Sequence, residues 1–368
     1  MLINYDTLKQ QPLVDNFETI EDIGSSLTYA DLEKAGVIKE VTSLSDLIDA
    51  LSGDEPLVSI EIKEDIELGK NDRIIIPAGK TAYVRLGKEL DCTVTGFKVE
   101  EGASLTLTGD GTIKTSNKST AGSMIEAKGA GTKVVIDGVT LDAVSVNGKT
   151  TANCNHAIYL MDDAEIEFKS GLIKTAYGSC ITTNNTTGIA KITISGGELH
   201  SDGSYALYIP SQCTVDIKGD AIVQGINARM GIFNIGEDAK IIGTTLTSED
   251  CDPIGKEFAT SGCVWLGDTI AVMAGTYEDS HGTDCKFNIS GNATVESSFR
   301  AAVGIYEVDT KQAQNILVKG NAAAISTTDP EFEAVKVYDH DYIAEDAQKY
   351  GKTYTPVAQS TADIQLVA

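Results

Sequence analysis

Carboxylates standing in pairs are the residues here whose types and spacing could do chemistry. They are Asp162-Asp163, Glu249-Asp250-Cys251-Asp252, His281 with Asp284, and Asp339-His340-Asp341. Two carboxylates held at a fixed gap across a sugar can hydrolyse a glycosidic bond. A turn of hard oxygen ligands such as 249–252 has the right donors for calcium, although no EF-hand or nonapeptide spacing surrounds it. His156 stands at the mouth of an expected coil and reads as a turn residue rather than a base. With 54 acidic residues in the chain, each pair also has a plain reading as a solvated turn. The expectation is that no residue is catalytic and that no metal or cofactor is bound.

The elements that would position these residues repeat down the chain. A small residue, an aliphatic one and usually an aromatic one lead into an alternating strand that closes on glycine. Ala157-Ile158-Tyr159 runs to Ser170-Gly171, Ala206-Leu207-Tyr208 to Lys218-Gly219, Gly231-Ile232-Phe233 to Ile242-Gly243, and Gly304-Ile305-Tyr306 to Lys319-Gly320. Short alternating segments split by Gly, Asn, Asp and Ser cannot each bury an apolar face alone. Stacked in parallel they bury one interior, so the chain is expected to be all-β, a right-handed parallel β-helix over 55–326. The alignment sets Ile125, Ile158, Ile181, Leu207, Ile232, Val264 and Ile305 inward, with an extra turn expected around Ile270-Ala271-Val272. Side chains alternate along a strand, so Tyr159, Tyr208, Phe233, Trp265 and Tyr306 should form an outer ladder. Such a ladder suits a homo-oligomer interface, a sugar platform, or cover by the chain's own loops.

The flanks differ from the middle. Residues 1–54 read as small helices: Thr28 and Asp31 have capping-box spacing before Gly36, and Ser43 or Ser45 opens a second helix that Gly53 ends. Tyr29, Leu32, Leu44, Leu47 and Ile48 supply apolar faces that need the solenoid end, another copy or a different protein, and attachment to a larger particle is expected of them. Residues 327–368 lose the cadence and are expected to form a C-terminal cap, with a helix over 344–350, because a solenoid end exposes strand edges. A net charge of −25 argues against nucleic acid. No apolar run has the ~20 residues of a membrane span. The opening residues show neither a basic n-region nor an apolar h-region. Seven cysteines without a C-x-x-C pair are expected to be reduced thiols, in keeping with folding in a cytoplasm.

Two segments carry a family resemblance. Leu27-Thr28-Tyr29-Ala30-Asp31-Leu32-Glu33-Lys34-Ala35-Gly36-Val37-Ile38 resembles the helical lead-in of head-fibre and related virion proteins of tailed phages. Ile66 to Leu90, centred on Ile76-Pro77-Ala78-Gly79-Lys80, is similar to the opening coil of β-helix fibres and surface proteins of phages and gut bacteria, a pectate-lyase-like fold. The resemblance implies a structural virion protein, a head fibre or capsid decoration, made in the host cytoplasm and fixed through residues 1–54. It also implies capsid or other virion partners, a homo-oligomer with a trimer favoured, and contact with a host surface glycan. The competing readings are a tailspike-like polysaccharide depolymerase and a bacterial adhesin. The chain has no pectate lyase W-x-D-H and lacks the polygalacturonase set of N-x-D, G-H-G and R-x-K together.

Overall fold

The computed structural model describes residues 28–34, 36–92, 95–115, 123–143, 156–176, 178–183, 188–243, 267–274, 284–307, 313–318, 325–338 and 362–366. Their strands form a parallel β-helix with three faces. Face 1 is a ten-stranded sheet that starts at Ile74–Ile76 and runs through Phe97–Val99, Ile125–Lys128, Ile158–Met161, Ile181–Thr183, Leu207–Ile209, Ile226–Ala228, Ile270–Ala274 and Val303–Glu307 to Val335–Tyr338. Faces 2 and 3 share a 20-stranded sheet, since Lys133–Ala143 and Glu165–Thr175 each bend from one face into the other.

Register explains the core. On face 2, Ile60, Val84, Leu107, Ile136, Phe168, Ile194, Ile217, Ile235 and Ile289 are successive partners, one per rung, and all are buried. Face 1 supplies the facing column: Phe97, Ile125, Ile158, Ile181, Leu207, Ile226, Ile270 and Val303. Each inward side chain sits on its equivalent ~4.8 Å above and below. Burial of a whole column at ~25 cal/mol per Å² is what a single rung lacks.

The corner between faces 2 and 3 is tight and glycine-bound. Gly109, Gly138 and Gly171 have φ of +106°, +96° and +108°. A Cβ on Gly138 would lie 2.5 Å from the Gly109 carbonyl oxygen of the rung below. Both the turn and the rung spacing therefore require glycine. Face 1, in contrast, is flanked by long connections. Residues 116–124, 144–157 and 243–269 lead into it, and 184–189 and 275–283 lead out.

The described residues from 28 to 54 belong to the solenoid. Helix α1 (Tyr29–Lys34) has the expected capping box: Thr28 N–H donates to Asp31 Oδ2 at 3.0 Å and Asp31 N–H to Thr28 Oγ1 at 3.3 Å, with Gly36 at φ +63° ending it. It lies against the outside of face 2. Leu32 is buried, the Arg85 guanidinium is 5.5 Å from the Tyr29 ring centroid, and Glu33 pairs with Arg85. Burial, helped by the nearby Glu61 charge, pushes the Tyr29 phenol up to about 12. Helix α2 (Leu44–Ser52) is capped by Ser43, whose hydroxyl accepts from Asp46 N–H at 3.2 Å, and closes the open end with Leu47, Ala50 and Leu51. Lys80 Nζ donates to the Gly53 carbonyl, tying the helix end to the first corner. Burial lowers the pKa of that ammonium, against the raising effect of Asp54 and Glu55.

Three expectations are corrected by this geometry. The boundary at 54/55 cuts through the fold, because α2 is the end cap of the helix and the strand Lys39–Val41 pairs with residues 60–62. Leu32 and Leu47 are buried against the chain itself, Leu44 packs on the core and Tyr29 is half-buried. Ile48 alone of the five proposed attachment residues stays exposed, at 41%. The cadence also continues beyond 327: Val335–Tyr338 extends face 1 and Ala362–Leu366 extends face 2. The helix expected over 344–350 lies outside the described residues.

Replacing Gly138 with alanine should cost about 1–3 kcal/mol from backbone strain alone, more with the clash. A denaturant midpoint equal to wild type would refute the corner geometry.

Candidate functional site

Core side chains fill the cylinder, so chemistry must sit outside, and face 1 with its flanking connections is the surface to consider. Its outward positions form two rows. The first runs Ile75, Lys98, Glu126, Tyr159, Thr182, Tyr208, Asn227, Ala271 and Gly304. The second, two residues on, includes Glu100, Lys128 and Met161.

The expected aromatic ladder is only partly built. Tyr159 and Tyr208 are on the outer side of face 1, two rungs apart with Thr182 between them. Phe233 is not: it lies on face 2, partnered by Val215 and Phe287, and is buried in the cylinder with its ring stacked on Phe287 at 4.4 Å between centroids. Its neighbour Ile232 points out, at 37% exposure. The true rung after Leu207 comes early, at Ile226, through a connection of Gly225 alone, so the Gly-Ile-Phe triplet falls on the next face. Ile305 is buried but partners Val272, so Val303 is the equivalent of Ile158 and Tyr306 is offset by two. The turn expected around Ile270 is present. Trp265 lies outside the described residues, as do Glu249, Asp250, Cys251, Asp252, His281, Asp339, His340 and Asp341. Asp284 opens a face-2 strand.

His156 holds the two tyrosines together. Tyrosines two rungs apart leave a gap of about 10 Å, and the imidazole occupies it, 6.4 Å from the Tyr159 centroid and 6.5 Å from Tyr208, within 15° of parallel to both. Its Nδ1 accepts the Ser179 N–H at 3.1 Å. The Arg229 guanidinium covers Tyr208 from 5.3 Å, a cation–π contact, and Tyr208 is only 5% exposed. The rings of this stretch are therefore packed against His156 and Arg229. His156 is more than the turn residue its position in the chain suggests. Its role between two rings needed the register of three rungs.

A second, open region occupies the earlier rungs. Lys98 and Glu126 are rung partners in the first row, and Glu100 and Lys128 are their neighbours in the second, so the signs alternate in both directions. Lys98 pairs with Glu100 at 3.8 Å and Lys128 with Asp162 at 3.9 Å. Thr95 Oγ1 donates to Glu126 Oε1 at 3.1 Å, and Asp163 Oδ1 accepts Ile189 N–H at 2.8 Å. Asp162 adopts a left-handed φ of +56° at the corner. Lys98, Glu100, Glu126, Lys128, Asp162 and Asp163 line a cavity of about 500 Å³, with Met161 and Ala78 as apolar parts of its wall. Buried Thr132 fixes two adjacent corners: its hydroxyl donates to Lys128 O at 2.8 Å and accepts Gly102 N–H at 3.1 Å.

Asp162 and Asp163 thus join Glu126 in one cavity, a grouping the sequence did not show, because Glu126 stands 36 positions earlier. Among the described residues no cluster of three or more His, Cys, Asp or Glu could hold a metal ion, and no helix is long and apolar enough to cross a membrane. The class is a parallel β-helix with a charged groove on its loop-flanked face. Comparison with protein-family models, curated proteins and solved structures finds no match to the chain.

Two outcomes test this geometry. Burial lowers the His156 pKa from 6.5 to about 4. The unfolded chain then takes up a proton that the folded one refuses, so the stabilisation is complete above pH 6.5 and is lost as pH falls from 6.5 through 4. An NMR titration should find the imidazole neutral down to about pH 5, and a midpoint at or above 6.5 would contradict the stacked burial. Phe233→Asp should unfold the protein rather than split an oligomer, since it places a carboxylate in the core. A folded variant of altered mass in light scattering would restore the interface reading.

Proposed function

We propose that this chain is a structural virion protein of a tailed phage, a head fibre or capsid decoration, whose exposed solenoid contacts host surface glycans. The observation that carries the reading is a self-capped rod. The stack is closed at its N-terminal end by α2, stiffened by one aliphatic column per face and laced outside by cross-rung pairs such as Lys191–Glu165 and Asn288–Asn234–Asp216. Such a body holds a surface at a fixed distance from whatever carries it. The resemblances at 27–38 and 66–90 point to the same class. With α1 and α2 committed to the fold, attachment passes to residues 1–27, and assembly as a trimer belongs to the same reading.

Deleting residues 1–27 should abolish association with particles while leaving the far-UV spectrum and melting temperature unchanged. Truncated protein that still decorates particles would refute the attachment assignment.

One observation favours a second reading, a depolymerase: Glu126 and the Asp162-Asp163 pair share a cavity, and glycoside hydrolysis needs two carboxylates across a sugar. New reducing ends released from a capsular polysaccharide, and lost in the Asp162→Asn, Asp163→Asn double variant, would promote this reading over the structural one.

A further inference from the structure

We infer that the cavity over the first rungs of face 1 is a binding site for a neutral, polyhydroxylated chain, a stretch of uncharged glycan. This rests on the reading that the solenoid meets glycans, and assigns that contact to particular residues.

The charge pattern selects the ligand class. Five carboxylates against two lysines line the cavity, so an anionic polymer would be repelled. Lys98 and Lys128 are exposed and each is paired with a carboxylate, so a cationic peptide would meet like charge at two positions along the surface. What remains complementary is a ligand without net charge that carries a donor and an acceptor every few ångströms. The rung spacing of ~4.8 Å presents groups at that interval, and their alternation lets successive hydroxyls donate to Glu126 and Glu100 and accept from Lys98 and Lys128. Charge-assisted hydrogen bonds of this kind are the stronger sort.

The wall fits the rest of such a ligand. Met161 follows Lys128 one rung on, and Tyr159 follows Glu126, so an apolar strip borders the charged floor. A pyranose has the same division, hydroxyls at its edge and C–H groups on its face. The site is also held in shape before any ligand arrives. Thr132 locks two corners and Thr95 orients Glu126. Preorganisation of this kind limits the ordering cost of binding. The cavity is open and bordered by further face-1 rungs, which suits a chain passing through rather than an enclosed monomer.

The test is saturation-transfer NMR and calorimetry on the full chain with neutral oligosaccharides of glucose, mannose and galactose, and with oligogalacturonate as the anionic comparison. At least one neutral series should bind and the anionic one should not. Glu126→Gln and Lys98→Met, each with a wild-type melting profile, should weaken binding about tenfold or more, the loss of one charge-assisted hydrogen bond. Ile232→Ser, on the outside of face 2, should bind as wild type. Binding to none of the neutral series, preference for oligogalacturonate or for a lysine-rich peptide, or full affinity in both cavity variants would each overturn the inference. Particle decoration is measured on the same proteins. If decoration persists while no sugar binds, the sugar site fails and the virion reading stands. If Glu126→Gln and Lys98→Met lose decoration, the cavity is a particle contact and not a sugar site.

Discussion

Each rung of this protein carries a few short strands whose inward residues cannot be shielded from water by that rung alone. Burial comes only when an identical arrangement lies above and another below, in register, so that isoleucine meets isoleucine along the axis. The aliphatic columns on faces 1 and 2 are that arrangement. Every other feature answers to it. Glycine is required at the corner because a carbonyl from the neighbouring rung is already where a Cβ would go. The first rung, preceded only by the short strand Lys39–Val41, needs α2 to cover its columns.

Stacking also decides what the surface can be. With alternate residues committed to the interior, each outward position recurs at the rung spacing, and side chains distant in sequence become neighbours. On faces 2 and 3 this produces ladders of ion pairs and amides that mostly hold rungs together, such as Lys133–Glu167 and Asn288–Asn234. On face 1 the same arithmetic produces two different surfaces on one sheet. The earlier rungs carry alternating charges around an open cavity. The later ones carry Tyr159, His156, Tyr208 and Arg229 packed against one another. A ligand-facing role suits the first and a stabilising role the second.

Much of this was readable from the chain. Period-two alternation with glycine closures gave the solenoid, and the Thr28/Asp31 and Ser43/Gly53 spacings gave both helices with their caps. Local patterns succeed there because capping and alternation are settled within a few residues. The aromatic ladder failed for a different reason. A triplet such as Gly231-Ile232-Phe233 looks the same on any face, and which face it joins depends on the length of the preceding connection. Gly225 alone joins two strands where the equivalent connections of other rungs take four residues or more, and that moved Phe233 from the outside to the core.

The sequence alone thus determined the architecture, the helix ends, the corner glycines and the acidic character of the chain, because each follows from short-range sterics or composition. Tertiary structure alone decided which face each strand joins, that the apolar sides of α1 and α2 turn inward to the solenoid, and that Lys98, Glu126, Lys128 and Asp162 share one cavity. Those outcomes depend on register summed over many rungs, and a single loop of different length shifts everything after it.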